Sequence, residues 1–258
     1  RKQGAGSANV YHAMISPAYL TAGNGAEQTP KISMGDDDNR TGVYRFSFQV
    51  NNLSDREQVY TLDGVALTDQ VNLDYPGYTF MGETSRALGA SVVFSAENGQ
   101  LPKLYDVNGD GAVDMTDVQV LLDGVNGLEE LSETVRRDLD LSGDGILDTA
   151  DVQILFEKVS AGFTALDVVK VPANGTATVH VTVTLTDADK AYMDEYYENG
   201  IYVDGFVRLY AQSEDGVDLS LPFMGFYGNW SDSKVFDIGW YYEGQDVLCN
   251  RYPNVLFT

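Results

Sequence analysis

Between Val43 and Val50 the chain alternates, with Tyr44, Phe46, Phe48 and Val50 on one side and Arg45, Ser47 and Gln49 on the other. A period of two with one apolar face predicts a strand buried on one side. The same alternation returns in TATVHVTVTL, where Val179, Val181, Val183 and Leu185 oppose Thr178, His180, Thr182 and Thr184. QVYTLDGVAL and ASVVFSAENG read as further strands ending in turns, and YVDGFVRLYAQ and LPFMGFYGNW as two late strands. In the last two, Gly205, Gly225 and Gly228 allow close aromatic approach, and Phe206, Tyr210, Phe223, Phe226 and Trp230 are expected in the core. Helical spacing is rarer. Ser7 to Met14 predicts a short helix with Ser7 as N-cap, and TDADKAYMDEYYENG predicts a longer one from a Thr/Asp cap to Asn199-Gly200. Strands with one buried face and turns between them predict a mainly β chain built as an antiparallel sandwich.

The centre breaks this pattern. TDVQVLLDGV places Val118, Leu121, Leu122 and Val125 at helical spacing, and ADVQILFEKV repeats the stripe with Val152, Leu155, Phe156 and Val159, 34 residues later. Two equivalent amphipathic units can bury together a core that neither has alone. LEELSETVRR reads as a helix connecting them. Charge marks the same region: of a formal net charge of −23, residues 104–161 hold fourteen acidic and three basic side chains. A concentration of that kind predicts a cationic partner.

The acidic residues are spaced as calcium ligands. In DVNGDGAVDMTD the oxygens come from Asp106, Asn108 and Asp110, then the Ala112 carbonyl, Asp114 and Asp117, with Gly111 at the sharp turn. DLSGDGILDTAD matches in register through Asp140, Ser142, Asp144, the Ile146 carbonyl, Asp148 and Asp151, with Gly145 at the turn. Two loops in register, each followed by the same apolar helix, predict two Ca2+ ions. Four unneutralised carboxylates crowded into each loop would otherwise repel one another.

These loops depart from an ordinary EF-hand in carrying Asp at position 12 and in being preceded by AENGQLPKLY, which is no entering helix. In both respects residues 105–160 resemble a type I dockerin. The resemblance implies docking onto a cohesin module, with partner choice at loop positions 10 and 11, here Met115, Thr116, Thr149 and Ala150. The basic pair usual on the following helix is replaced by Leu122-Asp123 and Phe156-Glu157, which departs from the cellulosomal pattern and leaves another cohesin type open.

The flanks carry a second resemblance. RKQGAGSANV is similar to the end of the catalytic domain in subtilisin-like cell-envelope serine proteases of the C5a peptidase and lactocepin type. GFVRLY and LPFMGFYGNW look like late strands of the fibronectin type III-like sandwich that follows it there. The implied organisation is a catalytic-domain remnant at 1–15, a discontinuous sandwich at 16–103 and 162–258, and a dockerin-like insert at 104–161. It further implies a bacterial, secreted or cell-surface parent whose Asp/His/Ser triad lies upstream of residue 1. The implied partners are a cohesin-type module or the parent's own protease domain, and the parent's protein substrate.

What remains narrows the function. A net charge of −23 argues against nucleic acid, which needs a basic face, and no apolar run is long enough to span a membrane. The lone Cys249 excludes an internal disulfide framework. His12 and His180 have no evident Ser/Asp partners, and no Gly-x-Ser-x-Gly elbow occurs, so this chain is expected to be non-catalytic. GDDDNR at 35–40 reads as a solvated turn, Asp194 and Glu195 as helix surface, and Asn229-Trp-Ser as a sequon without consequence outside a glycosylating pathway. A calcium-stabilised structural or substrate-positioning insert without a cohesin partner stands as the rival. Carbohydrate binding by the aromatic-rich sandwich is a third reading.

Overall fold

The computed structural model describes residues 9–22, 29–73, 80–213 and 215–232. Ser7, most of the N-terminal phrase and Cys249 lie outside the described residues. The chain begins with α1 (Val10–Ile15), capped by Asn9, whose side chain accepts from the His12 amide. Eleven strands follow among the described residues: β1 (Ala18–Ala22), β2 (Ile32–Asp37), β3 (Val43–Asn52), β4 (Gln58–Asn72), β5 (Phe80–Ala87), β6 (Ser91–Ala96), β7 (Gly99–Gln100), β8 (Asp167–Val171), β9 (Thr176–Thr184), β10 (Ile201–Ala211) and β11 (Leu219–Tyr227). Between β7 and β8 lie the helices α2 (Met115–Val125), α3 (Glu133–Asp138) and α4 (Thr149–Ser160); α5 (Asp187–Tyr196) joins β9 to β10.

The strands form two sheets. One has the order β1-β3-β9-β6-β7, and all its pairs are antiparallel. The other runs β2-β11-β10-β4-β5, with β8 also against β4 and with β2 parallel to β11. Strands from both sides of the helical segment complete each sheet, since β9 sits between β3 and β6 and β10 pairs with β4. Alternation explains the core between the sheets. Tyr44, Phe48, Val50, Val179, Val181 and Val183 are buried from the first, and Tyr60, Leu62, Val203, Val207, Leu209, Leu221 and Phe223 from the second.

Several expectations shift. QVYTLDGVAL does not end in a turn. It is the first part of β4, which runs on to Asn72 through an irregularity between Asp69 and Val71. Helix α5 holds that irregularity: the Tyr192 hydroxyl accepts from the Val71 amide at 2.9 Å and donates to the Asp69 carbonyl at 3.0 Å, and Tyr197 donates to the same carbonyl. In β10 the buried set is Ile201, Val203, Gly205, Val207 and Leu209, so the pleat turns Phe206 and Tyr210 to the other face, against expectation. Trp230, expected in the core, is 58% exposed in a short 3-10 turn beyond β11 and packs on Tyr202 and Phe226. Phe223 and Phe226 are buried as expected.

Gly205 has a steric requirement of its own, because a Cβ there would overlap the Val65 carbonyl oxygen and the Phe223 ring. The Gly35–Arg40 stretch is the end of β2 and a turn. Asp37 accepts there from the Thr41 and Gly42 amides, while Arg40 pairs with Asp194 of α5 at 2.7 Å. No helix among the described residues is long and apolar enough to cross a membrane.

Candidate metal centre

The helical segment has its own apolar core of Val118, Leu121, Leu131, Leu139, Val152 and Leu155. Leu122, Val125 and Val159 pack on it in part, and Phe156, expected on the same stripe, is 41% exposed. Position 156 lies on the edge of a stripe whose centre, Leu155, is fully buried, so the second helix presents this ring outward. The connecting helix is shorter than LEELSETVRR suggests. It starts only at Glu133, where the Ser132 hydroxyl accepts from the Val135 amide, because the preceding chain drops Leu131 into the core. Leu131 sits so close to α2 that any side chain at Gly124 would overlap it.

Both α2 and α4 start in a capping box built from loop residues. Asp114 caps α2 and Asp117 reaches back to the Asp114 amide; Asp148 and Asp151 do the same for α4. The loops that feed these boxes repeat most of one another's hydrogen bonds. The Asp106 carboxylate accepts from the amides of Gly109 (2.7 Å) and Gly111 (2.9 Å), and Asp140 accepts from those of Gly143 (2.9 Å) and Gly145 (2.7 Å). Gly109, Gly111, Gly143 and Gly145 all have positive φ, which the tight turn requires. Asp117, 0% exposed, accepts from Val107 at 2.8 Å, Asn108 at 3.2 Å and Asp114 at 2.8 Å. Asp151, also 0% exposed, accepts from Ser142 and Asp148, both at 2.9 Å. Asp110 and Asp144 each accept from the amide two residues on, that of Ala112 or Ile146.

Position 3 is where the loops differ. Asn108 accepts from the Asp110 amide and donates to its carboxylate, whereas the Ser142 hydroxyl turns back to Asp140.

These hydrogen bonds set the charges. Burial pushes the Asp151 carboxyl up, but the backbone amides of Asp148, Ser142 and Leu141 outweigh it and hold the group below its usual range. Asp114 is held low chiefly by the Thr116 amide. The structure thus brings the twelve expected donor positions into two loops of one shape, with their carboxylates turned largely toward backbone N–H groups. Among the described residues no three His, Cys, Asp or Glu side chains converge on a single point. The expected partner positions Met115, Thr116, Thr149 and Ala150 are all exposed at the starts of α2 and α4. His12 and His180 are exposed on α1 and β9, on separate elements.

Spacing alone missed the junction with the sheets. The chain enters and leaves the helical segment through one neck, where Lys103 bridges Asp167 and the Leu104 amide donates to the Leu166 carbonyl at 2.9 Å. Across a cleft of about 730 Å³, Lys170 of β8 pairs with Asp138 at 2.7 Å, and Arg137 reaches Glu57 at 3.6 Å. Pairs between residues this far apart in the chain leave no periodic signal to read.

A family model described as an Fn3-like domain matches residues 130–224, from the start of the α3 region into β11. The PI-type and PII-type proteinases of Lactococcus lactis subsp. cremoris and the PII-type proteinase of Lacticaseibacillus paracasei are each 33% identical to this chain over 69 residues, 27% of its length. The chain spans about 3% of the length of these relatives. Among solved structures, a PapD-like domain of human CEP192 aligns with 81% of this chain and 84% of its own at 8% identity, with a TM-score of 0.31. A family 123 glycoside hydrolase from Clostridium perfringens aligns with 83% of this chain and 28% of its own at 6% identity and a TM-score of 0.32. Superpositions that loose do not bear on what this chain does.

Proposed function

We propose that this chain is a non-catalytic accessory region of a secreted or cell-surface subtilisin-like serine protease. Its Fn3-like sandwich carries a two-site, calcium-binding, dockerin-like segment that docks on a cohesin-type protein partner. The observation that carries the reading is the duplication of the two acidic loops, with the carboxylates at positions 1, 5, 9 and 12 accepting from equivalent amides in each. The proteinase likeness and the Fn3-like match support the parent enzyme. A donor set made only of carboxylate, amide, hydroxyl and carbonyl oxygens suits calcium better than a softer metal. A carboxylate oxygen that accepts one backbone hydrogen bond keeps a lone pair for a cation. Asp106, Asn108, Asp110, Asp114, Asp117 and the Ala112 carbonyl would hold one ion. Asp140, Ser142, Asp144, Asp148, Asp151 and the Ile146 carbonyl would hold the other. Bound calcium would supply positive charge that offsets the crowded carboxylates, and the loops would set the starts of α2 and α4.

Calorimetric titration of chelator-treated protein tests the metal, with two sites expected and heat-silent addition sinking the calcium reading. Pull-down with a panel of cohesins in calcium-replete buffer tests the partner. Capture abolished by Met115→Glu with Thr149→Glu supports docking. Calcium uptake without capture selects the rival, a calcium-stabilised structural insert, which the ion pairs across the cleft favour.

A further inference from the structure

We infer that the helical segment is a hinged arm, closed against the sandwich by an electrostatic clasp. The inference stands whether or not the loops hold calcium, because the four charged groups of the clasp, Glu57, Arg137, Asp138 and Lys170, lie outside the loops. The apolar core of the arm and that of the sandwich share no residue. Among the described residues the buried apolar side chains thus form two separate clusters. Two joins among the described residues carry ion pairs between the two bodies, and a cleft of about 730 Å³ lies between.

The first join is the neck. There the chain crosses twice, through the Lys103–Asp167 bridge, the Leu104 to Leu166 hydrogen bond and a 2.8 Å bond from the Val168 amide to the Pro102 carbonyl. Tyr105 follows with φ at 72°, a conformation rare for a residue with a Cβ. Its ring packs on Phe163, at 5.6 Å between centroids, with the Lys158 ammonium over both rings. This is a short two-stranded pivot whose aromatic pair closes the base of the arm.

The second join is the clasp. Lys170 projects from β8 to Asp138 at the end of α3, and Arg137 beside it pairs with Asp138 at 2.9 Å and faces Glu57 from the turn before β4. All four side chains are between 31% and 63% exposed, so salt reaches them. Exposed pairs are individually weak and screened by ions. A join made only of such pairs opens and closes without unfolding either body. The cleft lies between pivot and clasp, lined from the sandwich by Val59 and Val168 and from the arm by Val107 and Leu141. Opening exposes these walls and swings the α2 and α4 starts to a new direction.

The test is amide 15N relaxation of the whole chain in calcium-replete buffer. Four samples are compared: wild type at about 50 mM and about 500 mM salt, Lys170→Met with Glu57→Gln, and the reversed pair Lys170→Asp with Asp138→Lys. At low salt the wild type and the reversed pair are expected to give one tumbling time for helix and strand amides alike. High salt and the neutralised variant are expected to shorten the time of the helix amides by roughly a third, since a released arm under a quarter of the chain reorients faster. One common time in all four samples overturns the clasp, because the neck alone would then hold the arm. Separate times already in the low-salt wild type overturn it too, and so does failure of the reversed pair to restore the common time.

Discussion

Replacing Asp117 by Ala should strongly destabilise the helical segment and leave the sandwich standing. The Asp117 carboxylate is fully buried and accepts three backbone amides, those of Val107, Asn108 and Asp114. Hydrogen bonds to a charged acceptor contribute about 1.5–3 kcal/mol each, so three sum to roughly 5 kcal/mol at the low end. Water reaching the Val107 and Asn108 amides after the change recovers part of this, leaving about 3 kcal/mol. At roughly 0.05–0.15 kcal/mol per residue, a segment of about sixty residues has some 3–9 kcal/mol in total. The loss therefore takes a third or more of what holds the segment, and the separate sandwich core contributes nothing to replace it. Amide hydrogen exchange reads both bodies at once, with chelator present so that only the fold is tested. Protection in α2 and α4 should fall by about 3 kcal/mol in opening free energy while that in β3, β9 and β10 persists. Unchanged helix protection would show that Asp117 is no keystone. Loss of strand protection as well would show that the two cores are not independent.

Three further outcomes follow from single sites. Gly205→Ala should lower the sandwich melting temperature by a cost of about 3 kcal/mol, because part of the obstruction is the Val65 backbone and cannot rotate away; an unchanged calorimetric melt refutes the steric reading. The Asp151 carboxyl is lower in the fold than in the unfolded chain, so its contribution is complete above the unfolded value of about 4 and disappears as pH falls through the folded one. Helical circular dichroism in chelator should therefore fall in acid less steeply for Asp151→Asn than for wild type, and identical profiles would refute this. The Tyr60 hydroxyl is buried without a hydrogen-bond partner among the described residues, and burial, with Asp215 and Asp218 nearby, pushes it up to about 12. Tyr60→Phe should leave stability unchanged or raise it, whereas Tyr192→Phe, which frees the Val71 amide, should cost about 1–3 kcal/mol by denaturant melt; equal losses would contradict the pairing described.

Features that rest on a short period are written in the order of residues. A pleat repeats every two residues, so the buried faces of β3 and β9 could be read residue by residue before any contact was known. The two loops were legible because twelve consecutive positions carry both the oxygens and the glycine turn, and the repeat 34 residues on fixed the register. Features that depend on distant partners emerge only once the chain is folded. Strand β9 lies between β3 and β6, and β2 runs parallel to β11, since hydrogen bonds pair strands by space rather than by order. Phe206, Phe156 and Trp230 are aromatic and were expected inside, yet the pleat phase of β10, the edge of the α4 stripe and the turn after β11 put them outside or only half within. The arm meets the sandwich through Lys170, Asp138, Arg137 and Glu57, and charges brought together by folding have no spacing along the chain that could announce them.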